Sequence, residues 1–300
     1  MTGGPRRLGL GTVQWGMPYG ITNRSGMATP ETVVQLLARA RLAGVGLLDT
    51  AWTYGDAERV LGEQGALAYG FSIVTKTHPL KGLDLSPAES AKLVEEAFHT
   101  SLARLRGGAV YGLLVHHADD LLGPSGDALW ALMQKLRSQG LVEKIGCSLY
   151  DPQQFFLLQQ RYALELVQLP YNIYDQRYVT SGMAARASSS GVEVHVRSAF
   201  LQGILLSEPD RLPAHFAGVR EHHAALWAQY GASGLSPLQA ALGYCLACPE
   251  IDKVIVGCER SEQWEGILEA AQATVSPERL RSLGRFAIHD EAVINPSRWN

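Results

Sequence analysis

Short apolar segments alternate with longer amphipathic segments along almost the whole chain. Residues 45–48 form an apolar run after a glycine, which is typical of a buried strand. Similar runs recur at intervals that leave room for a helix between successive strands. The predicted strands cover residues 8–13, 45–48, 71–76, 111–116, 143–148, 164–168, 192–198 and 251–256.

Several of the intervening segments begin with residues that favour the start of a helix. Thr29 and Ser86 each precede a proline, which is the arrangement of a capping residue before a proline in the first turn. Glu89 follows Ser86 at the spacing of a capping box. Helices are therefore predicted over residues 29–42, 58–68, 86–105, 127–138, from 151 onward, 236–247 and 261–271.

Three segments depart from this alternation. Residues 15–20 are rich in Gly and Pro, so we predict a loop that overhangs the end of the first strand. Residues 199–235 form a long connection, which in a compact domain usually acts as a lid or a binding loop. The tail after Val275 is less regular and could fold over the same end of the molecule.

The alternation of strands and helices predicts a parallel sheet with crossover helices. Eight units fit a closed (β/α)8 TIM barrel, and residues 1–300 then form a single domain. An open, doubly wound sheet fits the alternation as well. No strand is followed by a G-x-G-x-x-G helix start, which argues against a Rossmann domain.

Polar side chains stand at or just after three successive strand ends. Asp49 follows the second strand, Lys76 ends the third and His116 ends the fourth, while Tyr54 comes five residues after Asp49. Taken alone, each has an ordinary structural interpretation, such as a helix cap for Asp49 or a core histidine for His116. A carboxylate at the end of a buried strand is costly unless a cation or donor meets it. Together these residues predict one polar site at one face of the sheet or barrel.

Composition and charge narrow the class of protein. The chain has 46% hydrophobic and 18% charged residues, which suits a soluble protein with a large core. Its net charge of −3 argues against nucleic acid or an anionic membrane as a partner. No apolar run approaches the roughly 18 residues that span a bilayer, and residues 1–7 lack the apolar region of a signal peptide. We therefore expect a cytoplasmic protein.

The cysteines indicate a reduced protein rather than a metal site. Cys245 and Cys248 have the spacing of a zinc or redox motif, but no second pair accompanies them. We interpret these two residues as buried thiols.

The motifs around the polar site resemble those of the aldo-keto reductase superfamily. The resemblance rests on Asp49-Thr50-Ala51-x-x-Tyr54-Gly55, Thr75-Lys76 and Leu113-Leu114-Val115-His116, and it extends from Leu8 to about Ala271. It implies a (β/α)8 barrel, a nicotinamide cofactor bound without a Rossmann fold, and catalysis by Tyr54, Lys76, Asp49 and His116. Such proteins need no metal, so we expect none at His117, Asp119 and Asp120. About seven residues precede the first strand, so an N-terminal hairpin is short or absent.

The resemblance also implies a set of cofactor-binding residues. Ser148 and Gln168 offer a hydroxyl and an amide to the nicotinamide carboxamide, although Leu149 stands where the family usually has Asn. Arg197 replaces a Tyr that often stacks on the nicotinamide ring, and a guanidinium can stack too. The predicted set is Thr12, Ser148, Gln168, Arg197, Ser198, Phe200, Gln202, Gly203, Gly257, Arg260 and Gln263. The predicted substrate pocket consists of Trp15, Trp52, His78 and Trp299.

The choice between the two cofactors depends on two adjacent residues. Arg260 could pair with a 2′-phosphate, which favours NADP(H). Glu259 would repel that phosphate or accept a ribose hydroxyl, which favours NAD(H). We expect NADP(H) because Arg260 can face the adenosine while Glu259 points to another side.

The implied reaction transfers hydride between a nicotinamide and the carbonyl of an aldehyde, ketone or sugar. Tyr54 would be the general acid and base, and the cation of Lys76 would make it more acidic. Asp49 would hold Lys76, and His116 would orient the carbonyl. Two alternatives remain: a non-catalytic NADP-binding regulatory protein on the same fold, and a hydrolase or lyase that uses Asp49, His116 and a metal. The sequence gives neither the substrate nor the oligomeric state.

Overall fold

Eight parallel strands close into a barrel in the order of the chain. The strands are β1 Leu8–Gly11, β2 Leu47–Asp49, β3 Ser72–Lys76, β4 Val110–Val115, β5 Val142–Ser148, β6 Leu166–Pro170, β7 Glu193–Arg197 and β8 Lys253–Gly257. β1 pairs with both β2 and β8, and Gly11 lies opposite Gly257 in the pairing that closes the barrel. The predicted (β/α)8 barrel is confirmed, and the open sheet is wrong because β1 and β8 are joined.

The structure is a computed structural model that describes residues 4–299. Met1, Thr2, Gly3 and Asn300 lie outside the described residues. The first three belong to the segment in which no signal peptide was expected. The helices are α1 Val13–Gly16, α2 Pro30–Leu42, α3 Ala57–Glu63, α4 Pro87–Leu105, α5 Ala118–Leu122, α6 Gly126–Ser138, α7 Pro152–Gln159, α8 Arg177–Thr180, α9 Met183–Ser189, α10 Arg220–Ala232, α11 Pro237–Leu246, α12 Ser261–Gln272, α13 Pro277–Arg281 and α14 Glu291–Ile294.

The helix starts that the sequence marks with Thr29, Ser86, Asp151 and Ser236 have the expected capping contacts. The Ser86 hydroxyl accepts the backbone N–H of Glu89, whose carboxylate accepts the backbone N–H of Ser86. The hydroxyl of Ser236 likewise caps α11. These contacts satisfy N–H groups that have no partner inside the helix.

Several predicted boundaries are wrong. β6 runs two residues beyond Gln168, because Leu169 and Pro170 continue the pairing with β7. α3 ends at Glu63 instead of residue 68, because Gly65 adopts φ of +67° and turns the chain out of the helix. The connection at 199–235 contains α10, and the segment between β6 and β7 contains α8 and α9, which the apolar pattern did not reveal.

The core has separate parts inside and outside the barrel. A ring of interior side chains packs within the barrel: Leu47, Val74, Leu114, Leu166 and Ile255. The main core lies between the strands and the surrounding helices. A further cluster joins α10, α11 and the C-terminal tail beside the barrel.

The N-terminal end of the barrel is closed without a hairpin in the described residues before β1. Pro5–Arg7 form one 3-10 turn. The Arg7 guanidinium donates to the carbonyl of Leu246 at 2.6 Å and of Cys248 at 2.8 Å, which ties this turn to the end of α11. Inside the barrel at the same end, Lys144 and Glu193 form an ion pair.

Gly16 on α1 allows the backbone of the segment from Tyr54 to Ala57 to pack directly against this helix. A Cβ added at Gly16 would lie 1.9 Å from the Tyr54 carbonyl oxygen and 2.3 Å from the Ala57 nitrogen. These are backbone atoms, so a side chain can be accommodated only if the segment moves.

We expect Gly16→Ala to lower the free energy of unfolding by about 1–3 kcal/mol, as overpacking does. Urea unfolding followed by fluorescence measures the change. Gly218→Ala is the matched control, because an added Cβ there meets nothing within 4 Å. Equal stability of the two variants would contradict this account of the close approach.

Candidate active site

The four predicted catalytic residues lie together at the C-terminal end of the barrel. Asp49 and Lys76 are the last residues of β2 and β3, His116 follows β4, and Tyr54 lies in the turn between β2 and α3. All four line one cleft, whose volume is about 740 Å³. The end of a parallel barrel where the strands terminate is where enzymes of this architecture place their sites.

Lys76 and Asp49 form a buried ion pair. Lys76 Nζ lies 2.8 Å from each carboxylate oxygen of Asp49 and 2.9 Å from the Thr50 carbonyl oxygen. These contacts use the donors of the ammonium group. Both side chains are at most 5% exposed, so each charge is compensated almost entirely by the other.

Tyr54 is held as a neutral phenol. Lys76 Nζ lies 5.0 Å from the centroid of the Tyr54 ring, and its donors are directed to Asp49 and Thr50. Burial and the Asp49 carboxylate raise the pKa of Tyr54. The net shift in the pKa of Tyr54 is thus opposite to the greater acidity expected from Lys76, because burial and the Asp49 carboxylate dominate. At neutral pH the phenol carries its proton and can donate it.

His116 is also neutral. Burial and the nearby Lys76 cation lower the pKa of His116 to about 2. Its Nδ1 lies 3.4 Å from the Thr53 hydroxyl, and its ring meets Tyr54 edge-on at 6.1 Å between centroids. Either group can donate in this contact, and in the tautomer where the Thr53 hydroxyl donates to Nδ1 the ring proton is on Nε2. His116 can then act as a hydrogen-bond donor without carrying a charge.

Nearly all of the predicted cofactor-binding residues line the same cleft. They are Thr12, Ser148, Arg197, Ser198, Phe200, Gln202, Gly203, Gly257, Arg260 and Gln263. Gln168 is the exception, since it is fully buried and its Nε2 donates to Asp49 Oδ1 at 2.6 Å. It lies beneath the catalytic carboxylate, outside the cleft lining.

The four residues predicted for the substrate pocket do not line the cleft. Trp15 is buried on α1 and donates its indole N–H to the Cys258 carbonyl. Trp52 packs against His78, with 4.3 Å between ring centroids. Trp299 packs against the core beside the barrel and donates to the Val293 carbonyl. Trp15 is thus buried, whereas Trp52 and Trp299 are half-buried and lie outside the cleft lining.

The wall near the catalytic residues is formed instead by side chains that the motifs did not indicate. Tyr19 and Tyr150 line the cleft together with Tyr54 and His116. The Arg197 guanidinium lies 4.2 Å above the centroid of the Tyr150 ring and donates to the Leu149 carbonyl at 3.1 Å. The predicted loop over the site could have suggested Tyr19, but nothing in the motifs marked Tyr150.

Two loops meet across the cleft. The side-chain oxygen of Gln202 accepts the Ile21 backbone N–H at 2.9 Å, and its amide nitrogen donates to the Tyr19 hydroxyl at 3.2 Å. The Thr22 hydroxyl donates to the Gln202 carbonyl at 2.7 Å. Gln202 adopts φ of +52°, an unusual conformation for a residue other than glycine. The loop after β1 and the loop after β7 thus form a bridge over part of the cleft.

At the far end of the cleft, the side chains of Glu259 and Arg260 lie in different surroundings. Glu259 Oε1 accepts the Gln263 amide at 2.7 Å, and Gln263 Oε1 accepts the backbone N–H groups of Glu259 and Arg260. Glu259 is buried by this arrangement, while Arg260 is exposed. Arg24 and Arg197 line the cleft as well. Apart from the Asp49–Lys76 pair, the cleft lining thus has three arginines and one carboxylate, so its net charge is positive. A positive cleft suits an anionic ligand with several phosphates.

The comparisons with known proteins agree with this architecture. The Aldo/keto reductase family model matches residues 7–287. No curated protein matches the chain.

Two solved structures illustrate the similarity of fold. The holo form of aldo-keto reductase AKR11C1 from Bacillus halodurans has 21% sequence identity and a TM-score of 0.76, with 98% of this chain and 95% of that chain covered. The protein PA4992 from Pseudomonas aeruginosa has 22% identity and a TM-score of 0.65, with 88% and 89% covered.

Residues 4–299 contain neither a candidate metal-binding cluster nor a helix suited to cross a membrane. No group of three His, Cys, Asp or Glu side chains there is arranged to hold a metal ion. Within the same residues, none of the helices combines the length and apolar character needed to cross a membrane.

We expect Asp49→Leu to lower the free energy of unfolding by about 3–5 kcal/mol, because it leaves the Lys76 ammonium buried without its carboxylate. The double variant Asp49→Leu, Lys76→Met removes both charges and should recover most of that loss. Urea unfolding of the two variants measures the difference. A double variant as unstable as the single one would show that the lone buried charge is not the cause.

Proposed function

The chain belongs to the aldo/keto reductase family and is an oxidoreductase of that type, and we propose that it transfers hydride between NADP(H) and the carbonyl carbon of an aldehyde, ketone or sugar. The observation that carries this proposal is a neutral Tyr54 beside a neutral His116 and a compensated Lys76–Asp49 pair, at one end of a cleft lined with arginines. Two uncharged proton donors facing one cleft suit the reduction of a carbonyl group.

Tyr54 supplies the proton in the proposed reduction. When bound, the reduced nicotinamide supplies the hydride to the carbonyl carbon. The raised pKa of Tyr54, due to burial and Asp49, keeps the phenol protonated until negative charge develops on the carbonyl oxygen. His116 donates a second hydrogen bond from Nε2 to that oxygen, which can contribute on the order of 3 kcal/mol.

Lys76 would favour the ionised form of Tyr54. Its cation lies 5.0 Å from the Tyr54 ring centroid, so it stabilises the phenolate that remains after proton transfer. Asp49 and the Thr50 carbonyl fix the ammonium in that position. Lys76 would therefore offset part of the rise in the pKa of Tyr54 that burial and Asp49 cause, while the resting phenol stays neutral.

The cleft also indicates which residues would hold the cofactor. Ser148 and Arg197 are adjacent to the catalytic residues and would contact the nicotinamide end. Gly203 lies in the bridge between the two loops, and Gly257 and Gln263 lie towards the far end. Thr12, Ser198, Phe200 and Gln202 complete this lining. Gln168 would reach the carboxamide only after leaving Asp49.

The substrate would lie between the catalytic pair and the two tyrosines of the wall. Tyr19, Tyr150 and Arg197 surround this part of the cleft, whereas Trp15, Trp52, His78 and Trp299 do not. We propose these three residues as the substrate wall.

We expect Tyr54→Phe to abolish steady-state reduction of carbonyl compounds, since it removes the proton donor and leaves the ring. The affinity for NADPH, measured by fluorescence titration, should stay within about twofold. Tyr69→Phe is the matched control, because Tyr69 is exposed and does not line the cleft. Near-normal turnover of Tyr54→Phe would rule out Tyr54 as the acid. A wild-type chain that binds NADPH but reduces no carbonyl compound would favour a regulatory role.

We expect NADPH to bind more tightly than NADH, and Arg260→Ala to remove most of the difference. A charge-assisted contact with the 2′-phosphate is worth about 1.5–3 kcal/mol, or roughly 10- to 150-fold in the dissociation constant. Glu259→Gln is the control and should leave NADPH binding equal or tighter, because Glu259 is held by Gln263. Equal weakening of both cofactors by Arg260→Ala would contradict this assignment.

A further inference from the structure

A group of side chains outside the cleft joins the segment that carries Tyr54 to the strand that carries Lys76. Glu58 lies at the start of α3, shortly after Tyr54, and its side chain is 1% exposed. The Thr75 hydroxyl donates to Glu58 Oε1 at 2.7 Å. Because Thr75 immediately precedes Lys76 on β3, this bond directly connects the two segments that carry Tyr54 and Lys76.

A second contact joins the same two segments on the other side of these residues. Trp52 comes just before Tyr54 in the chain, and His78 comes just after Lys76. The rings of Trp52 and His78 pack with 4.3 Å between their centroids and an interplanar angle of 56°. The segments are thus joined by one contact before Tyr54 and by another after it.

Arg104, near the end of α4, contacts both of the residues that flank Tyr54. Its guanidinium carbon lies 5.5 Å from the centroid of the Trp52 ring. Its Nη1 lies 3.5 Å from Glu58 Oε2, an atom that has no hydrogen-bond partner within residues 4–299. A single side chain from a neighbouring helix therefore holds both ends of the segment that carries Tyr54. Arg104 itself does not line the cleft.

The chemistry of Arg104 suits this double contact. A carboxylate as deeply buried as that of Glu58 is costly without a cation or several donors. The guanidinium is planar and charged, so it can pair with a carboxylate and lie over an aromatic ring at the same time. A lysine at this position could supply the charge to Glu58 but not the planar contact with Trp52.

The packing of α3 against α4 does not depend on the Arg104 side chain. A Cβ added at Gly62 would lie 2.0 Å from the Arg104 carbonyl oxygen, so the two helices already meet at their backbones. The guanidinium is thus free to act on the segment that precedes α3, and holding the two helices together does not account for it.

We propose that Arg104 is a positioning residue for Tyr54 and acts through Trp52 and Glu58. The Tyr54 ring has a defined place, 5.0 Å from Lys76 Nζ. With the guanidinium present, Trp52 and Glu58 are both fixed, and the segment between them cannot move away from β3. Without it, the segment can shift, and the phenol loses its constant distance from the Lys76 cation.

Carbon NMR of the tyrosine-labelled protein tests this placement without reference to activity. The spectrum of Tyr54→Phe identifies the Tyr54 ring signals among those of the 11 tyrosines. Because the Tyr54 ring meets His116 edge-on, its signals respond to a change in the placement of the two rings. We expect Arg104→Met, which removes the guanidinium and keeps an apolar side chain, to shift or broaden these signals. Arg104→Lys should cause a smaller change.

Arg59→Met is the matched control. Arg59 lies on the exposed side of α3 and pairs with Asp56 and Glu63. Its loss removes two ion pairs from the same helix, and we expect the Tyr54 signals to stay as in the wild type.

Two outcomes would overturn the proposal. One is a set of Tyr54 signals that Arg104→Met leaves unchanged. The other is an equal change in Arg59→Met, which would show that any loosening of α3 displaces the ring. If Arg104→Met does not fold, Arg104→Lys decides the question, because wild-type Tyr54 signals in that variant would show that the planar contact with Trp52 is not needed.

The kinetic consequence rests on the proposed function. We expect Arg104→Met to lower kcat for carbonyl reduction by about tenfold through misplacement of the proton donor, with the NADPH dissociation constant unchanged within about twofold. Arg104→Lys should recover part of this loss. An equal loss of kcat and of NADPH affinity would indicate a general structural defect and count against the positioning role. If the wild type reduces no carbonyl compound, the proposed function fails, and the NMR comparison still decides the role of Arg104.

Discussion

The buried ion pair between Lys76 and Asp49 is the contact on which the candidate active site depends. Two opposite charges removed from water are tolerated only when each has close partners, and here the ammonium has the two Asp49 oxygens and a backbone carbonyl. Because the two residues end adjacent strands, the ion pair forms in the same register as the pairing of β2 with β3. The fold and the electrostatics of the site are thus determined together.

That pair also explains why the protonation states in the site differ from those that its residue types suggest. A tyrosine, a lysine and a histidine in one cleft suggest a phenol made acidic by a cation. In the structure the cation is neutralised by Asp49, and burial keeps Tyr54 and His116 uncharged. Net positive charge in the cleft comes instead from Arg24, Arg197 and Arg260. The cleft is therefore cationic at both ends, since Arg197 lies beside Tyr54 and His116 and Arg260 lies at the far end.

Strand positions could be predicted from the sequence because apolar runs, helix caps and glycines are local signals. The residues at the ends of β2, β3 and β4 followed directly, since parallel strands end at one face. The orientation of individual side chains did not follow. Gln168 was placed at a strand end, but β6 continues for two residues and Gln168 lies under Asp49. Trp15 was placed over the cleft, but the short helix α1 turns it towards Cys258. Both outcomes depend on contacts between distant segments.

The closure of the barrel by β1 and β8 has a consequence for how the protein is made. Gly11 pairs with Gly257, and Arg7 donates to carbonyl groups near residue 248. During synthesis, β1 can therefore complete its pairing only after β8 has been made. At about 5–20 residues per second, roughly 10–50 s of synthesis separate them. During that interval β1 can pair only with β2, and one of its edges stays open. The segment that closes the barrel also lines the far end of the cleft, so the cleft cannot form before β8 and the start of α12 have been synthesised.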